Sequence, residues 1–476
     1  MTLALILASI VVSALVGFVM RNRWRVPLML ASCVLAVYAF QPVLPVRNMD
    51  FWLPTATLAL TTLAWILTTP HGQRSWRVNR SAFAILGGTV LILGLTRYLG
   101  FPLHLTASRP PQILQILASL AAVGLIALLL THFARPGNII LTSAFVFLTI
   151  IFVGLKFPLL AIKISSWLRG LNHQSTSLAL AQDLRWLGFS YIAFRLLHTI
   201  RDRQSGRLPV VSLSEYVVYV IFFPTLSAGP IDRIERFVMD LRRPLAFTAD
   251  DMGEAGKRIL LGLFKKFAVA DVLALVALNA TNAPQVQTAG WAWVLLYAFA
   301  FQIYFDFCGY TDIAIGLGRL LGIKLPENFN APYFKPNLTQ FWNNWHMTLT
   351  QWFRAYFFNP VIRAFRSGKK SLPIPAIILI SQVGTMVLIG LWHGVTLNFM
   401  VWGLLHGLGL FVHNRWSELT RGRFAALSPR WKAVLNVGGV FLTFNFVALG
   451  WVFFTLPNLS TSANFFHVLF AIGYPN

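Results

Sequence analysis

Apolar runs of about twenty residues, the length a helix needs to cross the hydrocarbon core of a bilayer, recur along this chain with polar breaks between them. They fall at 3–20, 27–46, 51–69, 82–100, 112–134 and 138–162, and again at 211–229, 259–281, 289–305, 372–392, 397–413 and 433–454. The pattern predicts an all-α polytopic integral membrane protein with roughly a dozen hydrophobic helices. The first run has no basic residue ahead of it and an arginine cluster behind it, Arg21, Arg23 and Arg25. That is the wrong flank for a cleaved secretory signal, so the run is expected to stay as a span.

The runs differ in texture. Up to about residue 165 they are rich in Leu, Ile, Val and Ala with few charges, and 1–165 reads as a scaffold of transmembrane helices. The remainder, 166–476, reads as the functional core, because from about residue 183 charged residues, Gly, Pro and aromatics interrupt the spans. "FFPTLSAGPIDR" (222–233) ends a run with Pro224, Gly229 and Pro230. Proline removes a backbone donor from a helix, and irregular backbone at membrane depth is tolerated only inside protein or beside a wet cavity. Some helices are therefore expected to be broken or re-entrant around a central channel. No fixed-period repeat and no matched pair of broken spans is visible, which weighs against the inverted repeats of a secondary transporter.

Composition agrees with the pattern. Of 476 residues 57% are hydrophobic and 11% charged, with a mean hydropathy of +0.66; an ordinary soluble domain is about 45–50% apolar and about 25% charged. The net charge of +24 would in a soluble protein raise the question of nucleic acid. Here the basic residues sit in loops, and no nucleic-acid partner is expected. Arg21 to Arg25, then Arg74, Arg77 and Arg80, then Arg135 mark alternate loops, whereas the loop at 47–50 holds one Arg. By the positive-inside rule those loops face the cytoplasm of an inner or plasma membrane, with the N-terminus outside. The mid-chain run from Arg201 through Arg242, Arg243, Lys257, Arg258, Lys265 and Lys266 has two readings. One is topology with attraction to anionic membrane lipids; the other is a dock for an acidic carrier or a phosphate-bearing donor. Cys33 and Cys308 lie in apolar surroundings and form neither a disulfide framework nor a metal-site spacing.

Several polar residues in apolar stretches need a reason. "FQIYFDFCGYTDIAIGLGRLLG" (301–322) holds Asp306, Asp312 and Arg319. An ionised group at mid-bilayer costs at least about 2.5 kcal/mol on insertion scales, so each should face protein or water and have a partner. Asp312 and Arg319 share a helical face and could form an internal ion pair; Gly309, Gly316 and Gly318 would permit close helix approach. In "FWNNWHMTLTQWFRAYFF" (341–358) a continuous helix would put Trp345 and Trp352 on one face and His346 on a neighbouring one, as part of an aromatic belt or as chemistry. In "LIGLWHGVTLNFMVWGLLHG" (388–407) His393 lies between Trp392 and Gly394, where the glycine would leave room for a substrate and the imidazole could move a proton near neutral pH. His406 would point away from His393 and is assigned to packing. H-E-x-x-H, G-x-S-x-G and the P-loop are absent. Histidine without a nucleophilic partner suits base-assisted attack by a substrate hydroxyl; an intramembrane His/Asp proton relay in a transporter or flippase is the competing class.

Four segments together resemble the membrane-bound O-acyltransferase family, in its bacterial branch that includes alginate O-acetyltransferases and the D-alanyl transferases of teichoic acid. They are "FFPTLSAGPIDRIERF" (222–237), "GLFKKFAVAD" (262–271), "IYFDFCGYTDIAIGLGRLLGIKLPENFNAPY" (303–333) with "FWNNWHMTLTQWFR" (341–354), and "LWHG" (391–394). The resemblance covers roughly residues 183–415 and implies transfer of an acyl group, acetyl or D-alanyl, from a cytoplasmic thioester donor to a hydroxyl of an envelope glycan. It implies His393 as the catalytic general base and His346 as a second histidine lining the reaction channel, with Trp392, Trp345, Asn343, Arg354, Asp306 and Asp312 along that channel. The donor, CoA or the phosphopantetheine of an acyl-carrier protein, would dock on Lys265, Lys266, Arg242 and Arg243. No bound cofactor or metal is expected, and a separate extracytoplasmic acyltransferase is a potential partner. One departure is visible: where the family commonly continues Arg-Asp-Tyr, this chain has Arg354, Ala355 and Tyr356.

Overall fold

The computed structural model describes residues 3–19, 24–99, 106–133, 137–244, 248–367 and 372–472. Arg21, Arg23 and Arg135, used above in reading the loops, lie outside the described residues. Among the described residues the regular structure is helical, with no strand. Among the described residues seven helices are long and apolar enough to cross a membrane, and 3–17, 25–40 and 213–225 are shorter apolar helices. Several runs are cut short because turn chemistry interrupts them. The chain divides into two compact units, residues 1–259 with 314–326, and residues 260–313 with 327–476.

The first unit contains α1 (Leu3–Val19), α2 (Arg25–Phe40), α3 (Met49–Thr68), α4 (Trp76–Leu95), α5 (Ile113–Phe133), α6 (Asn138–Lys156), α7 (Pro158–Leu171), α8 (Phe189–Gln204), α9 (Leu213–Val220) and α10 (Ile234–Arg242). Its core is α8 and α9, with α3 packed on both. Threonines enter the apolar α3 without leaving polar atoms bare. The hydroxyls of Thr55, Thr57, Thr61, Thr62 and Thr68 each donate to the carbonyl four residues back, a bond that Thr makes locally inside helices. α9 starts on a capping box: Ser212 Oγ accepts from Glu215 N–H at 3.3 Å and Glu215 Oε2 accepts from Ser212 N–H at 2.8 Å. It ends at Val220, ahead of Pro224, so the 211–229 run holds only eight residues of α-helix. Arg195, fully buried, covers that break: its Nη1 donates to Val220 O at 2.8 Å and its Nη2 to Thr225 O at 3.0 Å.

Two arginines that the loop reading assigned to the cytoplasmic surface are buried. Arg25 is 3% exposed. Its Nη1 donates to the carbonyls of Asp240, Leu241 and Arg243, and its Nη2 to those of Leu321 and Gly322, at 2.7–3.2 Å. Carbonyls at a helix C-terminus lack intrahelical partners and carry the negative end of the dipole, so one guanidinium gathers the orphaned ends of two helices. Arg74 is 6% exposed and donates to the Thr69 carbonyl through Nε at 3.0 Å. Between α7 and α8, Asp183 Oδ2 accepts from Arg169 Nε at 2.8 Å, Ser165 Oγ at 2.6 Å and Leu180 N–H at 3.2 Å. Burial alone would push this carboxyl up, but the guanidinium and the two hydrogen bonds outweigh it and hold it below its ordinary value.

Ala249–Leu263, α11, begins in the first unit and runs on into the second. The second unit continues with α12 (Asp271–Ala274), α13 (Ala289–Leu320, in this unit as far as residue 313), α14 (Leu338–Asn344), α15 (Met347–Phe353), α16 (Asn359–Ser367), α17 (Ile374–His393), α18 (Leu397–Ala425), α19 (Pro429–Thr455) and α20 (Leu459–Leu469). α17 and α18 make the most extensive helix pair. A Cβ on Gly403 would stand 2.5 Å from Met386 O, one on Gly407 2.7 Å from Val383 Cα, and one on Gly390 would fall on the Phe399 carbonyl. Gly403 and Gly407 form a G-x-x-x-G face, which lets two membrane helices touch backbone to backbone. The same device holds α13: Cβ atoms on Gly309 and Gly262 would each stand under 3 Å from the other's carbonyl oxygen. The close approach expected at Gly309 is thus present, and Gly316 in the first unit is likewise pressed against Ile259 and the Ala255 carbonyl.

Candidate functional site

The chain breaks where a continuous helix was expected. α14 is capped by Asn337, whose Oδ1 accepts from Gln340 N–H at 2.9 Å. It stops at Asn344; Trp345 is extended, and His346 takes φ 43° and ψ 53° before α15 begins at Met347. A non-glycine residue in the left-handed region costs about 1–3 kcal/mol and persists only where surroundings enforce it. Here Asn328 enforces it. Its carbonyl accepts from Met347 N–H at 2.9 Å, and its side-chain Oδ1 lies at hydrogen-bonding distance from Thr348 N (3.2 Å), Thr348 Oγ1 (2.9 Å) and His346 Nδ1 (3.0 Å). The helical-face relation of Trp345, Trp352 and His346 is therefore replaced by a turn. Trp345 packs against Phe329, Phe341 and Trp451 instead, with centroids 5.2–5.6 Å apart.

That turn also sets the tautomer of His346. The backbone N–H of Thr348 can only donate, so the Asn328 atom facing it is the amide oxygen, an acceptor. His346 Nδ1 must then carry the hydrogen, and in a neutral ring Nε2 presents its lone pair. Nε2 is buried without a hydrogen-bond partner among the described residues. The ring is 3% exposed, edge-on to Phe307 at 4.7 Å and 6.3 Å from Trp392.

His393 closes α17 and is half-buried. Its ring lies 4.5 Å from Trp392, 4.7 Å from Phe454, and 5.9 Å from both Phe399 and Trp402. Trp392 thus touches both histidines. The glycine that follows does not open a space for a substrate: a Cβ on Gly394 would stand 2.8–2.9 Å from the Phe399 ring, so Phe399 occupies that room. His406 is fully buried as packing requires, but Trp402 lies 4.9 Å from it and 5.9 Å from His393. Both His406 nitrogens lack partners among the described residues. His406, Trp402, His393, Trp392 and His346 form one run of touching rings.

Beside this run lies a small cavity of about 120 Å³ lined by Trp342, Asn343, Arg354, Gln382 and Thr385, among others. Arg354 is exposed and its Nη2 donates to Asn343 Oδ1 at 2.7 Å; it begins a π-helical stretch to Phe358 that includes Ala355. Trp342 Nε1 and Gln382 Oε1, a donor and an acceptor, are buried without partners among the described residues.

The carboxylates of α13 are paired. Lys265 Nζ donates to Asp312 Oδ2 at 2.6 Å, and Lys266 Nζ pairs with Asp306 Oδ1. The cation facing Asp312 is thus a lysine from a neighbouring element rather than the expected Arg319. Both lysines lie in a π-helical stretch, Phe264–Ala270; wide turns of that kind are frequent at functional sites, and here the two successive side chains both meet carboxylates of α13. In the first unit Arg242 forms a bidentate pair with Glu215 at 2.6 and 2.9 Å, and Arg243 lies 3.6 Å from Asp240. No group of three or more His, Cys, Asp or Glu suited to a metal occurs among the described residues.

Sequence reading missed Asn328, Phe399, Trp402 and Phe454. The available signal was two asparagines in "PENFNAPY", polar residues in a loop between apolar elements, where a buried amide often caps or fixes a turn.

A helical membrane fold with a broken W-H turn and a W-H-G helix end defines a class. The model of the membrane-bound O-acyltransferase family matches residues 130–456, and the chain belongs to that family. It is 34% identical over 288 residues to the probable alginate O-acetylase AlgI of Pseudomonas aeruginosa, covering 60% of this chain and 52% of that protein. It is 31% identical to the teichoic acid D-alanyltransferase of Streptococcus thermophilus, over 57% of this chain and 68% of that protein. It is 36% identical to the peptidoglycan O-acetyltransferase of Helicobacter pylori, over 55% of this chain and 50% of that protein. The matched region thus spans about half the length of the alginate and peptidoglycan relatives.

Proposed function

We propose that this protein is an O-acyltransferase that moves an acyl group, acetyl or D-alanyl, from a cytoplasmic thioester to a hydroxyl of an envelope glycan. The observation that carries the reading is the pair His346 and His393 on either side of Trp392, the first held in one tautomer by Asn328. His393, the more accessible ring, acts as general base. The acceptor oxygen forms the ester C–O bond as the thioester C–S bond breaks; His393 takes the hydroxyl proton and returns it to the departing thiolate. His346 was expected to orient a substrate or donate to the developing oxyanion. A neutral ring with its hydrogen on Nδ1 has no donor left, which favours the orienting role: Nε2 accepts a hydrogen bond from another donor on the bound substrates, and the single hydrogen of the attacking hydroxyl stays with His393.

The donor is CoA or an acyl-carrier phosphopantetheine arm. Its amides each bring one donor and one acceptor, and the unpartnered Trp342 Nε1 and Gln382 Oε1 offer the complement. Docking of its phosphate or acidic carrier on Lys265, Lys266, Arg242 and Arg243 requires exchange with the carboxylates these cations already face. Neutralising all four should weaken donor use in a salt-sensitive way; unchanged donor dependence would rule the dock out. The reading further places the N-terminus outside an inner or plasma membrane, with an extracytoplasmic acyltransferase as a partner that could complete the transfer.

Turnover by the purified protein in detergent separates this from a transporter or flippase, which needs two compartments. Release of free thiol from acetyl-CoA, or from an acylated carrier protein, that depends on an added glycan acceptor is the expected result. No thiol release from a folded preparation, together with solute or lipid movement in proteoliposomes, would favour the transporter.

A further inference from the structure

A second cavity lies in the first unit, with no histidine in its lining. It measures about 580 Å³ and is walled by α3, α4 and α5, from Thr55 to Ile66 on the first and Ser119 to Thr131 on the last. At 1.5 Å per residue these walls run about 16–18 Å, close to the ~15 Å depth of one leaflet. The space is made by small residues: a Cβ on Gly87 or Gly124 would meet nothing within 4 Å.

The wall is apolar in effect as well as in composition. The hydroxyls of Thr55, Thr62, Ser119 and Thr131 all donate to carbonyls four residues back on their own helices, and the Trp65 indole donates to Val211 O at 3.0 Å. None of them asks anything of an occupant. α5 is almost wholly exposed, with 6% of its span buried, so lipid bathes this side. One charged side chain enters the lining, Arg74, at the loop between α3 and α4. Its guanidinium is fixed by bonds to the carbonyls of Thr69 and Leu130. Burial and the neighbouring Arg203 guanidinium both press its pKa down, the signature of a buried cation beside a like charge. An anion there relieves both effects.

We propose that this slot is a binding site for an anionic phospholipid, with one acyl chain between α3, α4 and α5 and the phosphate on Arg74. A chain alone would fit a purely greasy slot; the fixed guanidinium at one end is what selects a phosphate-bearing headgroup of net negative charge.

Native mass spectrometry of the purified full chain in detergent, titrated with phosphatidylglycerol or phosphatidylcholine, tests the site. The expected result is one tightly retained phosphatidylglycerol per chain. Replacing the cation, Arg74→Gln, should lower retention of phosphatidylglycerol about fivefold, the equivalent of ~1 kcal/mol for one cation near an anionic headgroup, and leave phosphatidylcholine unchanged; Arg74→Lys should restore most of it. Gly124→Leu, which projects into open space, should remove the retained lipid without lowering thermal stability. Inorganic phosphate at millimolar concentration should not displace the lipid. Equal retention of the two lipids by the native chain, displacement by phosphate alone, or full retention by a folded Gly124→Leu protein would each overturn the proposal.

Discussion

His346 donates its Nδ1 hydrogen to Asn328 Oδ1 at 3.0 Å, and the same oxygen accepts from Thr348. One amide therefore fixes a strained turn, a ring orientation and a tautomer together. Removing it with Asn328→Ala should lower acyl transfer by about 10²-fold, the loss that a misplaced substrate-orienting group can cause. Asn328→Asp is the sharper test. A carboxylate beside Nδ1 favours the imidazolium and raises the His346 pKa, so a ring needed in neutral form works only at higher pH. The acid limb of the activity profile should move upward; an unshifted limb would mean that His346 need not be neutral.

The room beside His393 is taken by Phe399. Gly394→Ala drives a methyl to within 3 Å of that ring, and overpacking of this kind costs about 1–3 kcal/mol. Thermal unfolding in detergent should show the loss, and adding Phe399→Leu should recover part of it. Had the glycine faced a vacant channel, the alanine variant would unfold like the native chain and lose only activity.

Lys265 is 27% exposed while its partner Asp312 is 5% exposed. Breaking a buried pair by removing one partner leaves an uncompensated charge, at about 3–5 kcal/mol when both are fully buried. Partial exposure of the lysine brings Lys265→Met nearer ~2 kcal/mol by the same reasoning. The double variant Lys265→Met with Asp312→Asn should be the more stable of the two. If the single and double variants melt together, the pair contributes little to stability.

Asp183 carries a pH dependence of known sign. Its folded pKa lies below its ordinary value, so its contribution is complete above the unfolded carboxylate pKa of about 3.9 and is lost as pH falls through the lower, folded value. The melting temperature should decline on acidification below about pH 5, and Asp183→Asn should lower stability at pH 7 while flattening that decline. A slope unchanged by the substitution would assign acid sensitivity elsewhere.

Helices were legible because length and apolarity decide whether a segment can cross a bilayer, and both are local. Asp306 and Asp312 announced that they needed partners, since an unpaired charge in an apolar helix is expensive. Which cations answered was not legible: Lys265 and Lys266 meet them from another element, through a π-helical stretch that no periodicity reveals. The buried Arg25 looked like a loop charge for a similar reason, its five carbonyl acceptors being roughly 215 to 297 positions away in sequence. His346 and His393 were found by their neighbours Trp345, Trp392 and Gly394. The turn between Trp345 and Met347 was hidden, because the stretch has good helical periodicity and only the distant Asn328 diverts it.

The central claim, acyl transfer with His393 as base, is tested most directly by the ester-linked acyl groups of the cell envelope. They are released by mild alkali and identified by mass spectrometry in strains carrying the native chain or His393→Ala at matched membrane abundance. The account predicts that one specific acid disappears with the substitution, which would also identify the acyl group. Unchanged acylation with the variant protein present in the membrane would contradict it.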